Sequence, residues 1–361
     1  MKRRVSRPVQ VGSVTVGGDA PVSVQSMLMN DTCDIEESVN QIQRLADAGC
    51  EIIRLAVPDK EAGEALKSIV PRSPIPVVAD IHFDYRLALQ AADNGVHGLR
   101  VNPGNISSKD YIREIVRKAK ERQLPIRVGV NGGSVEKPIK EKFPNDLVTQ
   151  LVESALLNVR LLEEEDFQDI VISVKASDPM LAVDAYRSIA TKTPYALHLG
   201  VTEAGTLKRG LVKSSIALGM LLSEGIGDTI RVSLTADSIE EVFAGHEILR
   251  SVGLSKQGSN LISCPSCGRC EVDLYSMVSD VEGMMAKYDK ENPNTPLDVA
   301  VMGCFVNGPG ECGHADIGIA GGRGQYYIFK GEEKVTRVAE EGALDVFRTE
   351  LEKTYLEKKG T

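Results

Sequence analysis

The 361-residue chain is short of several features that would assign it to a class at once. No window approaches the roughly 20 consecutive apolar residues that a membrane-spanning helix needs. The opening "MKRRVSRPVQVGSVTVGG" begins basic but offers no apolar h-region and no cleavage pattern, so a secretory signal is not expected. Basic residues (42) are outnumbered by acidic ones (51), leaving a net charge of -9. That balance excludes a protein that tracks phosphate backbones with a broad cationic face, though not a small cationic pocket. Low-complexity segments are absent, and no GxGxxG turn follows an early strand, which removes the usual mark of a dinucleotide-binding open sheet. Cysteines number seven, an odd count, with CxxC spacing. A disulfide framework is disfavoured against metal or redox chemistry, and the expected compartment is the reducing cytoplasm.

What is present is a rhythm. Eight strand-like runs occupy residues 22–27, 52–57, 76–82, 98–104, 126–131, 170–176, 195–201 and 229–236, separated by amphipathic helical stretches such as "DIEESVNQIQRLADAG" and "DYIREIVRKAKERQ". Nearly continuous apolar strands alternating with helices indicate a parallel sheet covered by helices. Eight such units fit a (β/α)8 TIM barrel over residues 1–254, whose catalytic groups lie at the C-terminal strand ends. A doubly wound open sheet is the competing architecture. After "SKQGSN" the rhythm changes, and residues 255–361 are expected to form a smaller α+β domain with strands at "LDVAVMGC", "ADIGIAGG" and "QYYIFKG" and two long helices.

Five cations interrupt the apolar strands: Arg54, Arg100, Arg127, Lys175 and Arg231. An unpaired buried guanidinium costs several kcal/mol, so each must meet a carboxylate or a bound anion. Interior salt bridges to Asp80, Glu203 or helix carboxylates would account for any single one of the arginines. The nearby acids are too few for all five, and guanidinium forks match phosphate oxygens, so an anionic substrate with more than one phosphate is expected. Asn102, Asn131 and Ser233 offer neutral donors near the same rim, and the amides of "NGGS" (131–134) offer an anion nest. His82 and His198 fall near strand ends, where each is either structural or functional. "VTEAG" reads as a helix N-terminus with Thr202 as its cap, which makes Glu203 either a first-turn carboxylate or a catalytic one.

Five of the cysteines lie in "SCPSCGRC" (263–270) and "MGCFVNGPGEC" (302–312). Structural zinc and an iron–sulfur cluster both use a CxxC pair plus distant ligands. Zinc would ordinarily close on a second CxxC or CxxH knuckle, whereas Cys304 stands in a Gly/Pro-rich stretch expected to form a tight loop around a bulkier inorganic body. Cys264, Cys267 and Cys304 make three ligands. The fourth is Cys270, Glu311 or Cys312, and chemistry at the metal would favour the more readily displaced carboxylate.

"CPSCGR" and "MGCFVNGPGE", behind "ADIHFD", "LRVNPGN", "RVGVNGGS", "HLGVTEAG" and "IRVSLT", closely resemble the bacterial 4-hydroxy-3-methylbut-2-enyl diphosphate synthases, in their two-domain form and over nearly the whole chain. The resemblance implies a TIM barrel with a diphosphate site, followed by an iron–sulfur domain like the modules of sulfite reductases. It implies a [4Fe–4S] cluster on Cys264, Cys267, Cys304 and Glu311, with Cys270 and Cys312 as bystanders. It further implies reductive opening of 2-C-methyl-D-erythritol 2,4-cyclodiphosphate, with flavodoxin or ferredoxin as donor. Arg54, Arg100, Arg127, Lys175 and Arg231 would grip the diphosphate, Asn102, Asn131, Ser233, Thr202, His82 and His198 would position the substrate, and Glu203 would deliver a proton. A head-to-tail homodimer, each cluster domain capping the partner's barrel, is the expected assembly. Cys312 departs from the alanine usual after that glutamate. Two readings of another class are a phosphate-binding lyase with a zinc module and a non-catalytic redox sensor.

Overall fold

The alternation read from the sequence closes on itself in space. The computed structural model describes residues 2–106, 108–255, 258–292 and 295–359, and the chain divides into two units, Met1–Ser255 and Lys256–Thr361. The first opens with a hairpin of β1 (Val9–Val11) and β2 (Val14–Val16). Eight parallel strands follow: β3 (Ser23–Met27), β4 (Ile52–Ala56), β5 (Val77–Ile81), β6 (Gly98–Val101), β7 (Ile126–Asn131), β8 (Ile170–Lys175), β9 (Ala196–Leu199) and β10 (Thr229–Ile230). They form a closed barrel in chain order, with β10 paired to β3. The covering helices are α1 (Ile35–Asp47), α2 (Lys60–Ile69), α3 (Tyr85–Asp93), α4 (Lys109–Arg122), the short α5 (Lys137–Lys142), α6 (Leu147–Glu163), α7 (Pro179–Lys192), α8 (Leu207–Ser223) and α9 (Ser238–Ser251). Aspartates 34, 59, 84, 146, 178 and 237 start six of them, each carboxylate accepting a first-turn backbone N–H. Each such cap stabilises by about 1 kcal/mol.

Strand periodicity of two sorts the residues into an outer face, which forms the main core with the helices, and an inner face with two levels. On the lower level Ile52, Val78, Val171 and Ala196 pack with Val9, Val11 and Val16 of the hairpin, which floors the barrel at its N-terminal end. Two residues further along the same strands come Arg54, Asp80, Ser173 and His198. This hairpin was not anticipated as a barrel element, because its strands are only three residues each.

Two expectations need correction. The run 229–236 is strand only at Thr229–Ile230. The Arg231 N–H still reaches Leu199 O at 3.0 Å, but the Leu234 N–H turns to the Glu241 carboxylate at 2.9 Å, so a side chain takes the place of a neighbouring strand. "VTEAG" does not start a helix: α8 begins at Leu207 with Thr206 at its N-cap. Glu203 has φ +53 and Gly205 φ +108, left-handed conformations that an α-helix cannot contain.

The second unit is a five-stranded sheet in the order β11 (Asn260–Ser263), β12 (Asp298–Met302), β13 (Ile317–Gly322), β14 (Gln325–Lys330) and β15 (Glu333–Ala339). The first three are parallel and the last two antiparallel. Helices α10 (Leu274–Glu291) and α12 (Ala343–Lys359) pack on one face through Met277, Val281, Phe347 and Leu351 against Val299, Val301 and Ile319. The short α11 (Gly308–Gly313) covers Ala300, Met302 and Ala320 on the other. The stretch after Cys304 is therefore a turn running into this helix rather than a loop throughout, with Pro309 in the first turn where its missing N–H is tolerated. β11 and β15 were not anticipated, since "NLIS" is short and "EKVTRVA" is half charged.

Candidate active site

The second inner level of the barrel is a ring of charge. Arg100 Nη1 donates to Asp80 Oδ1 at 3.0 Å and Nη2 to the Gly129 carbonyl at 3.1 Å. A Cβ at Gly129 would lie 2.6 Å from the Arg100 Nε, so only glycine lets this guanidinium cross β7. Arg54 shares Asp80, its Nε 3.5 Å from Oδ2, and His82 Nε2 stands 3.8 Å from the same oxygen. Burial pushes the Asp80 carboxyl up, but Arg54 and Arg100 outweigh it and hold the group below the usual carboxylate range. Burial also draws Arg54 down to about 10, against the pull of Asp80.

Arg231 is paired elsewhere. Its Nε and Nη2 fork onto Glu241 at 3.1 and 3.0 Å, and the same carboxylate accepts from Ser26 Oγ at 3.2 Å. Of the acids expected to meet the strand cations, Glu203 is exposed on the loop after β9, and Arg231 takes a helix carboxylate instead. Glu241 was not singled out by number, although the sequence marks it: in "EEVFAGHEIL" it falls on the apolar stripe of α9 with Val242, Gly245 and Ile248, where a carboxylate needs a reason.

Arg127 and Lys175 have no carboxylate partner among the described residues. Arg127 donates from Nη1 to Gln25 Oε1 at 3.0 Å, leaving Nε and Nη2 buried without an acceptor. Lys175 Nζ lies 3.2 Å from His198 Nε2, and His198 Nδ1 is also orphaned. The Tyr186 hydroxyl fixes this strand by donating to the His198 carbonyl at 2.6 Å. Desolvation, then the neighbouring arginines, pushes Lys175 well below its ordinary value. Desolvation followed by Arg127 and Lys175 does the same to His198, whose Nε2 faces the lysine. Four guanidinium groups and a lysine whose charge is disfavoured thus share two carboxylates in a buried ring, an arrangement that is costly until an anion arrives. Just above, both amide atoms of buried Asn102 lack partners, and Asn131 exchanges bonds with Ser134 across the "NGGS" turn, at 3.1 and 3.0 Å. Thr202 and Ser233 are half-buried at the ends of β9 and β10. Below Arg127 lies a cavity of only about 20 Å³ lined by Val11, Val16, Val78 and Val171, room for about one water. An anion of any size must sit on the C-terminal side.

In the second unit, Cys264 and Cys304 leave the same ends of the paired strands β11 and β12. Cys264 Sγ accepts the Gly303 N–H at 3.3 Å. The exposed Cys267 thiol is drawn down from its ordinary value, chiefly by the Arg269 backbone N–H. Sulfurs that accept amide hydrogens are disposed to be thiolates, the ligand form. Glu311 is exposed on α11. The other two thiols turn inward. Cys312 is fully buried against Gly318 and Ala320 and pushed up to about 12 by burial, and Cys270 directs its thiol to the Val272 carbonyl at 3.3 Å, where Gly303 leaves it room. Three thiols, of which Cys264 and Cys267 accept backbone N–H groups, and an exposed carboxylate make a donor set that suits iron–sulfur ligation.

The comparisons agree with this division. Residues 6–246 match the GcpE TIM-barrel domain and residues 260–353 the GcpE protein C-terminal domain. A 4-hydroxy-3-methylbut-2-en-1-yl diphosphate synthase (flavodoxin) of Clostridium acetobutylicum is 53% identical over 98% of this chain and 99% of its own. Relatives of the same name from Geobacter sulfurreducens and Geobacillus thermodenitrificans are 51% and 50% identical, over 98% and 97% of this chain and 99% and 92% of theirs. Among solved structures, the dihydropteroate synthase of Yersinia pestis covers 68% of this chain and 98% of its own with a TM-score of 0.50 at 13% identity, a likeness of barrel fold alone. With both of its units matched and half of its residues identical to full-length relatives, the chain belongs to the GcpE family.

Proposed function

We propose that the chain is a 4-hydroxy-3-methylbut-2-enyl diphosphate synthase, opening 2-C-methyl-D-erythritol 2,4-cyclodiphosphate reductively with electrons from flavodoxin or ferredoxin. Written for neutral species, two electrons and two protons enter and one water leaves. The observation that carries the reading is the pair Arg127 and Lys175, buried cations without a carboxylate in a barrel whose other cations share Asp80 and Glu241. A cyclic diphosphate supplies the missing negative charge and the acceptors for the idle Arg127 donors.

In this reading Arg54, Arg100, Arg127, Lys175 and Arg231 hold the diphosphate, and Asn102, Asn131, Ser233 and Thr202 orient the ring. His198 keeps Lys175 aimed, and His82, tied to Asp80, steadies the rim. Glu203 donates the proton that turns the departing oxygen into water. Cys264, Cys267, Cys304 and Glu311 would hold a [4Fe–4S] cluster. Such a cluster supplies electrons one at a time and, at the iron tied by the carboxylate, a place that a substrate oxygen can take. Of the four, Glu311 would be the most readily displaced ligand. The assembly is a homodimer in which each cluster domain serves its partner's barrel, and the compartment is the cytoplasm. No helix among the described residues is long and apolar enough to cross a membrane.

Anaerobically purified protein should contain iron rather than zinc, and its reduced paramagnetic resonance spectrum should change when the cyclic diphosphate is added. Turnover of that substrate with reduced flavodoxin completes the test. Zinc, or a spectrum indifferent to the substrate, would refute the assignment.

A further inference from the structure

A surface patch beside the cysteines is used by none of the chemistry above. Antiparallel pairing sets Tyr327 opposite Arg337 and Phe329 opposite Lys334, so strand alternation brings rings and cations to one face of the sheet, the face that carries α11. Phe305, the residue after Cys304, tilts onto Tyr327 with ring centroids 4.7 Å apart. Lys334 Nζ lies 3.8 Å from the Tyr327 centroid and 5.7 Å from that of Phe305, and the Arg337 guanidinium lies 5.9 Å from Tyr327. Gln325 links the two sides, accepting from Arg337 and donating to the Tyr327 hydroxyl. Phe305 is 47% exposed and its neighbour Val306 65%. Neither Lys334 nor Arg337 forms an ion pair among the described residues; both cations rest on aromatic faces instead.

In a chain with a net charge of -9, two unneutralised cations framing exposed apolar side chains select a partner of opposite charge. We propose that Phe305, Val306, Tyr327, Lys334 and Arg337 form the docking face for an acidic one-electron carrier protein. The inference rests on the function proposed above and adds where its electrons enter. Phe305 and Val306 supply the apolar centre, and Lys334 and Arg337 steer the approach. A carrier seated there lies one residue from a cysteine that would hold the cluster. A small patch with steering charges suits a short-lived encounter, which the reaction requires twice per turnover because each carrier gives up one electron. A second copy's barrel mouth, which the proposed assembly brings to the cluster itself, is a poor occupant of this flanking face, since its excess cations would repel Lys334 and Arg337.

The test uses the iron-loaded protein and the double variant Lys334→Glu/Arg337→Glu, with Lys334→Gln/Arg337→Gln as the milder form should charge reversal disturb folding. Turnover of the cyclic diphosphate is driven once by reduced flavodoxin and once by reduced methyl viologen, and flavodoxin binding is titrated directly at several salt concentrations. Loss of steering should raise the flavodoxin KM about tenfold and flatten its salt dependence, while viologen-driven turnover is unchanged. An unaltered flavodoxin KM overturns the proposal. So does an equal loss with both reductants, which would assign the face to a second copy's barrel. Wild-type protein inactive with either reductant would instead defeat the proposed function, and the titration, which needs no turnover, would still decide the docking.

Discussion

Lys175 is the residue whose environment makes the sharpest demand. Its ammonium is disfavoured by burial and by the arginines around it, and a diphosphate reverses that bias, so binding should take up a proton. The sign follows: raising pH removes the cation the anion needs, and the substrate Kd should climb well before a free lysine would titrate. Calorimetry in buffers of high and low ionisation enthalpy measures the uptake directly, and its absence would mean that Lys175 is already charged in the empty barrel. Glu241 offers a second test. Glu241→Gln keeps the hydrogen-bonding shape but leaves Arg231 without its counter-charge. Substrate KM should shift more than kcat, by about tenfold, the worth of roughly 1.4 kcal/mol. Among the thiols, Cys312→Ala should keep iron content and spectrum while lowering stability by about 1 kcal/mol, whereas Cys304→Ser should lose the metal. At this scale the sequence was legible wherever a charge broke an apolar run, as at Arg127. It was less legible where the choice of partner depends on packing, as with Glu241: its place on the apolar stripe marks a buried carboxylate but not that Arg231 is the group it meets.

Elements were legible in proportion to their length and periodicity. The seven longer barrel strands and the helices between them stand where alternating apolar runs indicated. The failures were short or polar pieces whose structure comes from packing: the three-residue strands of the hairpin, β11, β15, the six-residue α11 and the two-residue β10. The "VTEAG" stretch failed for another reason. Its composition suits a helix cap, yet Glu203 and Gly205 adopt left-handed conformations, through which an α-helix cannot run. The hairpin is the element most open to test. Val16 is completely buried against the inner wall, and Val16→Ala should cost about 2 kcal/mol in chemical denaturation.

For the whole molecule, family membership was legible because motifs in both units occur in one order, and the comparisons match both units in that same order. The proposed pairing of chains rests on the family resemblance rather than on any run of residues, since an interface is a property of surfaces. If each cluster domain serves a neighbour, then mixing Arg127→Met with Cys304→Ser should restore activity that neither variant shows, and sedimentation should find dimers.

The valine floor gives the barrel a single doorway. Whatever enters must back out along its own path, so under the proposed function the spent diphosphate blocks the next molecule until it departs, and its release bounds the rate of steady traffic.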